Sequence, residues 1–242
     1  TLSVSNLTDR AAAANRIAPG SQAQFTVSSY TPVALGNPQP PGKFTVLPGG
    51  LDVSAGGSDL GGTADQGEFF WVQRTGDFDV RVRVAGLTLA DAWSEAGLMV
   101  RENLTAGARA VSVIATPSIS GCYFQVRTNA NGPTGLSGYF PVNYPQTWLR
   151  LRRVGSTFTG FAGLNGRHWM PLGTATLSLP TTVHLGLAVA SHNTNQLTTA
   201  AFRDFSDVTG AEELRALPFE PLGQCSRLTS LVISEIMYHP TN

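Results

Sequence analysis

Apolar and polar residues alternate along two short runs in the segment GEFFWVQRTGDFDVRVRV, residues 67–84. Alternation with a period of two is the pattern of a β-strand that buries one face. Thr75 and Gly76 lie between the runs, and a two-residue loop at this place predicts an antiparallel β-hairpin. The apolar face of that hairpin would carry Phe69, Trp71, Phe78, Val80, Val82 and Val84.

The same hairpin register predicts two cross-strand ion pairs. With Thr75-Gly76 as the loop, Arg74 lies opposite Asp77, and Glu68 lies opposite Arg83. Opposite charges that face each other across a strand pair stabilise a sheet. We therefore expect Arg74, Asp77, Glu68 and Arg83 to have a structural role.

Further strands follow at short, regular intervals, separated by turn residues such as Asn131-Gly132-Pro133 and Asn165-Gly166. No helical period of ten or more residues comes between them, which favours an antiparallel sandwich over an α/β fold. The sequence thus predicts an all-β, two-sheet antiparallel fold with about a dozen strands. The clearest strands are at 95–101, 110–116, 122–128, 148–154, 157–163, 169–174, 183–191 and 199–207.

The composition agrees with an all-β module and excludes some partners. Charged residues make up 13% of the chain, and its 26 glycines and 15 prolines are typical of folds with many turns. The net charge of zero argues against nucleic acid or an anionic membrane as the main partner, since both would select a basic excess. No run of about 18 apolar residues occurs, so we predict no membrane span.

Five separate blocks carry a family resemblance: GEFFWVQRTGDFDVRVRV, AWSEAGLMVREN, WLRLRRVGSTFTGFAGLNGRHWMPLG, HLGLAVASHN and TTAAFRDF. In this order they resemble bacterial secreted modules of the concanavalin A-like lectin/glucanase superfamily, over residues 50–209. The resemblance implies a jelly-roll sandwich that serves as an accessory module in a large secreted or cell-surface bacterial protein.

The flanking segments resemble parts of other domains. Residues 1–28 resemble the last strands of a bacterial Ig-like module, and residues 231–242 resemble the first strand of a lamin-tail domain. Residues 29–49 are rich in proline and glycine, which predicts a linker or an entry loop. Residues 210–230 would form a second linker. The chain therefore looks like an excised piece of a longer protein.

Catalysis is not predicted. The superfamily includes glycoside hydrolases, whose acids lie on one strand as Glu-x-Asp-x-Glu, and this chain has no such run. Asp77 and Asp79 are the nearest carboxylate pair, but arginines are their expected partners, and such pairing lowers a carboxyl pKa. Glu95 would serve as an acid only with a partner from another strand. Glycoside hydrolysis is therefore the less favoured function, and we name no catalytic residue.

Carbohydrate binding is the function class that the sequence favours. Several arginines fall opposite the apolar face of their strands, and guanidinium groups near Tyr or Trp suit the recognition of sugars. The partner would be a polysaccharide or a cell-surface glycan. Solvated ion pairs are the alternative role for these arginines, and a structural or adhesive spacer that contacts neighbouring domains is the alternative function. The candidate residues are Arg81, Arg83, Arg101, Arg127, Arg150 and Arg152.

The sequence predicts no metal or cofactor, although it leaves three local questions open. Asp52, Asp59 and Asp65 are either calcium ligands or turn residues, and their spacing matches no known calcium loop. Cys122 and Cys225 either form a disulfide or remain two buried thiols. Ser191-His192-Asn193 ends a buried strand, where such side chains commonly cap loop backbone groups.

Overall fold

The computed structural model describes residues 30–117 and 120–208, together with the backbone of residues 212–213. These residues form β-strands, and the described part of the chain contains no helix that could cross a membrane. The strands are β1 (Thr31–Leu35), β2 (Lys43–Leu47), β3 (Gly50–Ala55), β4 (Gly67–Thr75), β5 (Phe78–Leu87), β6 (Glu95–Arg101), β7 (Ala110–Ala115), β8 (Cys122–Arg127), β9 (Gly135–Phe140), β10 (Thr147–Val154), β11 (Thr157–Gly163), β12 (His168–Thr176), β13 (Thr182–Ala190), β14 (Thr198–Asp207) and β15 (Glu212–Glu213).

The strands pack as two sheets. The seven-stranded sheet has the order β1-β4-β13-β6-β7-β8-β9, and the eight-stranded sheet has the order β15-β12-β11-β10-β5-β14-β3-β2. All pairings are antiparallel except the short parallel contact between β12 and β15. The fold is a two-sheet jelly-roll sandwich, which confirms the predicted fold class.

The hydrophobic core fills the space between the two sheets. Every second residue of β5 points into it, as Val80, Val82 and Val84 show. Leu98 on β6 and Leu185 on β13 meet them from the seven-stranded sheet. In β5 the period-two alternation therefore decides which face of the strand is buried.

The predicted hairpin is wrong. β4 pairs with β1 and β13 in one sheet, whereas β5 pairs with β10 and β14 in the other. The turn at Gly76 thus carries the chain from one sheet to the opposite one. Phe69 and Trp71 belong to an apolar cluster on the outer face of the seven-stranded sheet, while Phe78 lies in the central core. Alternation fixes the faces of a strand but not its partner, and β4 is apolar on both faces.

The ion pairs predicted from that hairpin are wrong as well. Arg74 binds Asp207 at 2.7 Å, and Arg83 binds Asp204 at 2.7 Å. The carboxylate of Asp77 accepts a hydrogen bond from the backbone N–H of Gly155, and that of Glu68 accepts one from Gly42. These four residues do have structural roles, but their partners come from distant parts of the chain because β4 and β5 lie in different sheets.

Residues 29–49, predicted as a linker or an entry loop, contribute two edge strands instead. β1 pairs only with β4, and β2 pairs only with β3 among the described strands. Proline is tolerated at a sheet edge because the missing N–H is not needed there, and Pro32 lies in β1. Composition alone therefore misidentified two strands whose outer edges pair with no other described strand.

Several predictions fall outside the described residues. They are the Ig-like segment 1–28, the linker 210–230 apart from the backbone of β15, the lamin-tail segment 231–242, and Cys225. Cys122 is buried in the core, and that burial raises the pKa of its thiol to about 12. The disulfide stays a prediction.

Candidate functional site

Two loops cover the outer face of the seven-stranded sheet. The first runs from residue 56 to 66 between β3 and β4, and we call it the 56–66 loop. The second runs from residue 102 to 109 between β6 and β7. Leu60 of the first loop is buried against Phe69, Met99 and Ile114 on the sheet. The amide of Asp65 donates to the carbonyl oxygen of Ala106 at 2.9 Å, so the loops also bind each other.

A buried charge cluster fixes the 56–66 loop to the sheet. Asp65 lies over Arg101 of β6 and Arg127 of β8 and forms ion pairs with both. Arg127 also donates to the carbonyl oxygens of Gly61 at 2.8 Å and Ala108 at 3.1 Å. Burial lowers the pKa of Arg101, and the charge of Asp65 opposes that shift. We call Asp65, Arg101 and Arg127 the arginine clamp.

A cleft of about 150 Å³ opens on this face beside the arginine clamp. Its walls come from the 56–66 loop, β8, β9 and the loops that precede β6 and follow β13. It combines one exposed tryptophan, an aliphatic edge and a group of polar side chains. The lining residues are Asp59, Gly61, Gly62, Trp93, Glu95, Tyr123, Gln125, Thr134, Leu136 and His192.

Asp91 positions the aromatic wall of the cleft. Its carboxylate accepts a hydrogen bond from the amide of Trp93 at 2.8 Å and lies 3.3 Å from Nδ1 of His192. This is the local turn that aspartate side chains favour. Trp93 remains 48% exposed, and its ring centroid lies 6.5 Å from that of Tyr123. The loop before β6 and the loop after β13 thereby present a tryptophan face and an imidazole to the same space.

Glu95 forms the floor of the cleft and is only 2% exposed. Its carboxyl group accepts hydrogen bonds from the amide of Leu60 at 2.7 Å, from the hydroxyl of Tyr123 at 2.6 Å and from the side-chain amide of Gln125 at 3.0 Å. Ser112 donates to the other end of the Gln125 amide at 2.8 Å, which fixes that group's orientation. The donors nearest to Glu95 are therefore already used within the protein.

The pKa of Glu95 is raised to about 8, first by burial and then by the neighbouring carboxylate of Asp59. Near neutral pH this carboxyl therefore holds its proton. The other buried acid of this face, Asp65, forms ion pairs with two guanidinium groups. A titratable group shifted in this way inside a cleft is a candidate functional residue.

We expect the raised pKa of Glu95, to which Asp59 contributes, to make the free energy of unfolding depend on pH. A glutamate in the unfolded chain loses its proton near pH 4.5, whereas folded Glu95 keeps it to about pH 8. Between these values the folded state binds more protons, so the free energy of unfolding falls as pH rises, by on the order of a few kcal/mol from this group. Asp59→Asn removes the neighbouring charge and should make that decline smaller. Urea unfolding between pH 4.5 and 9 measures it.

The control for this measurement is Asp204→Asn, which changes an exposed aspartate on the other sheet. In that variant the free energy of unfolding should depend on pH as it does in the original chain. An unchanged pH dependence in Asp59→Asn would show that Asp59 does not perturb Glu95.

The structure distributes the predicted arginines over two opposite faces. Arg101 and Arg127 form the arginine clamp and are almost fully buried. The other four lie on the outer face of the eight-stranded sheet. Two of them, Arg81 and Arg83, have their guanidinium carbons 5.5 and 5.9 Å from the ring centroid of Trp148. We call the face formed by Arg81, Arg83, Arg150, Arg152 and Trp148 the arginine face.

Within the arginine face, Arg150 is the most constrained residue. It donates to both carboxylate oxygens of Asp79, at 2.7 and 2.6 Å, and it lies over the ring of Phe161 at 4.5 Å. Arg152 lies over the same ring at 5.2 Å. The expected salt-bridge role of Asp79 is confirmed. Arg81, Arg83 and Arg152 remain partly exposed, so of the predicted set they are the better candidates for contact with a ligand.

The three aspartates proposed as calcium ligands are not brought together. Asp65 belongs to the arginine clamp, Asp59 lines the cleft, and Asp52 pairs with Arg203 on the other sheet at 2.7 Å. The capping role expected at Ser191 is confirmed, since its hydroxyl accepts from the amide of Asn193 at 3.1 Å and donates to the carbonyl oxygen of Gly57 at 3.2 Å.

Sequence reasoning did not find the cleft itself. Trp93, Tyr123 and Asp59 are far apart in the chain, and no single motif contains all three. Glu95 was considered as an acid that needed a partner from another strand, and the partner comes from the 56–66 loop instead. The one local signal was Glu95 at the start of strand 95–101, whose middle residues are apolar, which placed a carboxyl group at the end of a buried strand.

A larger cavity, of about 480 Å³, opens at an edge of the sandwich between the two sheets. Its walls are mainly aromatic and aliphatic, with the carboxylate of Asp204 and the hydroxyl of Tyr30 as polar exceptions. A sugar needs several polar partners for its hydroxyl groups, and this cavity offers few. The lining residues are Tyr30, Val46, Gly49, Gly50, Leu51, Phe70, Leu187, Phe202, Asp204 and Phe205.

Comparison with known proteins places the fold among solved structures. No protein-family model and no curated protein matches the chain. A functionally unknown protein from Saccharomyces cerevisiae is similar in structure, with a TM-score of 0.60 and 15% identity, over 74% of this chain and 96% of that one. A GH43 protein from Bacillus licheniformis matches with a TM-score of 0.51 and 14% identity, over 64% of this chain and 32% of that one.

A carbohydrate-binding module of Bacillus subtilis, CBM66, has a TM-score of 0.47 at 14% identity, over 75% of this chain and 96% of that one. The present chain spans only about a third of the GH43 protein. At these identities the similarities concern the fold. The site must be interpreted from its own residues.

Proposed function

We propose that this chain is a non-catalytic carbohydrate-binding module and that the cleft beside Trp93 binds the glycan. The observation that carries the proposal is the combination of a half-exposed tryptophan face with carboxyl, amide and imidazole groups around one opening. An amphipathic ring binds the apolar face of a pyranose, while the polar groups accept from and donate to its hydroxyls.

The rigidity of the cleft supports a binding role. The arginine clamp holds the 56–66 loop, Asp91 holds Trp93, and Ser112 fixes Gln125. Groups that are already ordered lose little entropy when a ligand binds. The volume of about 150 Å³ admits a single sugar unit, so the cleft suits the end or a side branch of a glycan chain.

Glycoside hydrolysis at the same cleft is the second candidate, because Glu95 is a protonated carboxyl with Asp59 next to it. Hydrolysis needs an acid that reaches the glycosidic oxygen and a second carboxylate across the bond. Glu95 is buried beneath the cleft, and three donors from the protein bind its carboxyl group. These contacts favour a positioning role for Glu95 over an acid that reaches substrate.

Trp93→Ala is the direct test. We expect it to weaken binding to the tightest ligand of a glycan array by about tenfold to a hundredfold, because stacking on an exposed aromatic contributes roughly 1–3 kcal/mol. Isothermal titration calorimetry with that oligosaccharide measures the loss. Trp93→Phe, which keeps a smaller aromatic face, should recover part of it.

The matched control is Arg83→Ala on the arginine face, which should leave this affinity unchanged. If Arg83→Ala abolishes binding and Trp93→Ala does not, the arginine face is the glycan site and the cleft is not. If no glycan binds, the alternative function, a structural or adhesive spacer, gains support. New reducing ends that appear during the titration and that Trp93→Ala abolishes would assign hydrolysis to the cleft.

A further inference from the structure

The polar groups that line the cleft determine whether it accepts a neutral or a charged ligand. Among the described residues that line it, two are carboxylic acids and none is Arg or Lys. The closest donors are committed: Tyr123 and Gln125 donate to Glu95, and the hydroxyl of Thr134 donates to the carbonyl oxygen of Gly62 at 2.8 Å. Asp59, next to the buried Glu95, is thus the main polar group that faces a ligand.

The carbonyl groups of the 56–66 loop strengthen this acceptor character only in part. The oxygen of Gly61 accepts from Arg127 at 2.8 Å, and that of Gly62 accepts from Thr134. These oxygens are already hydrogen-bonded, so Asp59 is the acceptor that remains half exposed at the opening. Its carboxylate lies beside Gly61, where a Cβ at residue 61 would be 3.0 Å from Oδ2. The absence of a side chain at residue 61 leaves room beside the carboxylate.

The other charged groups around the cleft do not reverse the negative charge of its opening. His192 is next to Asp91, whose carboxylate lies 3.3 Å from Nδ1, so an added positive charge there meets a negative one. The guanidinium groups of Arg101 and Arg127 lie under the loop and are paired with Asp65. The uncompensated charge of the opening therefore comes from Asp59, since no Arg or Lys is among the described lining residues.

We propose that the cleft selects uncharged sugar units through their hydroxyl groups and excludes uronic acids and other anionic sugars. A carboxylate such as Asp59 accepts hydrogen bonds from neighbouring hydroxyls, and charged acceptors form the stronger bonds. A sugar carboxylate brought to the same place meets a like charge and loses its water without gaining a cation. This inference rests on the proposed glycan site and adds the chemical class of its ligand.

The experiment uses matched pairs of ligands. Gluco-, manno- and galacto-hexasaccharides are each compared with the same oligosaccharide oxidised at its primary hydroxyls to uronates, by calorimetry at pH 7. For the series that binds, we expect the neutral form to bind at least tenfold more tightly than its oxidised form. Asp59→Asn keeps the size of the side chain but removes its charge. It should weaken binding of the neutral ligand by about tenfold and reduce the difference in affinity between the neutral and the oxidised form.

Arg83→Gln is the control on the opposite face, and it should change neither affinity at the cleft. If the oxidised form binds as tightly as the neutral form and Trp93→Ala removes the binding of both, the proposed selectivity is wrong but the proposed glycan site is retained. If Trp93→Ala leaves both affinities unchanged, the proposed site itself is wrong. Binding of the oxidised form that Arg83→Gln removes would show a separate anionic site on the arginine face.

Discussion

Replacing Asp65 with alanine is expected to lower the free energy of unfolding by about 3 to 5 kcal/mol, because it leaves two buried guanidinium groups without a counter-charge. Asp65 is 2% exposed and pairs with both Arg101 and Arg127. For a domain of this size the loss corresponds to a fall in Tm of roughly 6 to 20 °C. Urea and thermal unfolding measure both quantities.

Two variants give this prediction its controls. Asp207→Ala removes an aspartate that also pairs with an arginine, Arg74, but in an exposed position, and should cost no more than about 1 kcal/mol. The triple change Asp65→Ala, Arg101→Met, Arg127→Met removes the buried charges together and should recover much of the stability, since apolar replacements of buried ion pairs are often tolerated. A cost below about 1 kcal/mol for Asp65→Ala alone would contradict the role of the arginine clamp.

Gly97→Ala is expected to destabilise the fold by about 3 kcal/mol or more, although it adds a single methyl group. Gly97 lies on β6 opposite Ile114 of β7, and a Cβ at residue 97 would overlap the backbone carbonyl oxygen of Val113. A backbone atom inside a hydrogen-bonded sheet cannot move aside as the end of a flexible side chain can. The methyl group is therefore accommodated only by shifting β6 against β7.

Gly86→Ala is the matched control for Gly97→Ala, because Gly86 is also in a strand. The nearest heavy atom to a Cβ at residue 86 is Ala201 Cβ at 4.0 Å, and its backbone has no positive φ. This variant should stay within about 1 kcal/mol of the original chain and can stabilise it, since alanine restricts the unfolded state. Equal unfolding midpoints for the two variants would show that β6 and β7 have room to separate.

The strands themselves were largely predictable from the sequence. The predicted segments 95–101 and 157–163 coincide with β6 and β11, because alternation and flanking turn residues are local properties. β9 (Gly135–Phe140) was missed because its first residues are exposed and it has no buried alternation. β1 and β2 were missed for a related reason, since edge strands carry prolines and exposed side chains.

The pairing of those strands was not predictable. The hairpin of residues 67–84 satisfied turn, alternation and charge rules together, yet its two halves lie in opposite sheets. Each half obeys the same rules with its real neighbours, for example β5 with β10, where Val82 lies opposite Leu149. Local rules therefore accept several partners for one strand, and the packing of the whole sandwich selects among them.

The sequence by itself determined the all-β class, the position of most strands and, in strands such as β5, which side chains alternate into the core, because all of these depend on neighbouring residues. Only the tertiary structure decided which charges meet. It placed Arg101 and Arg127 beneath Asp65 and left Arg81 and Arg83 on the opposite face. It also brought Asp59, Trp93 and Glu95 to one opening. Coulomb and hydrogen-bond energies depend on distances in space, which sequence separation does not give.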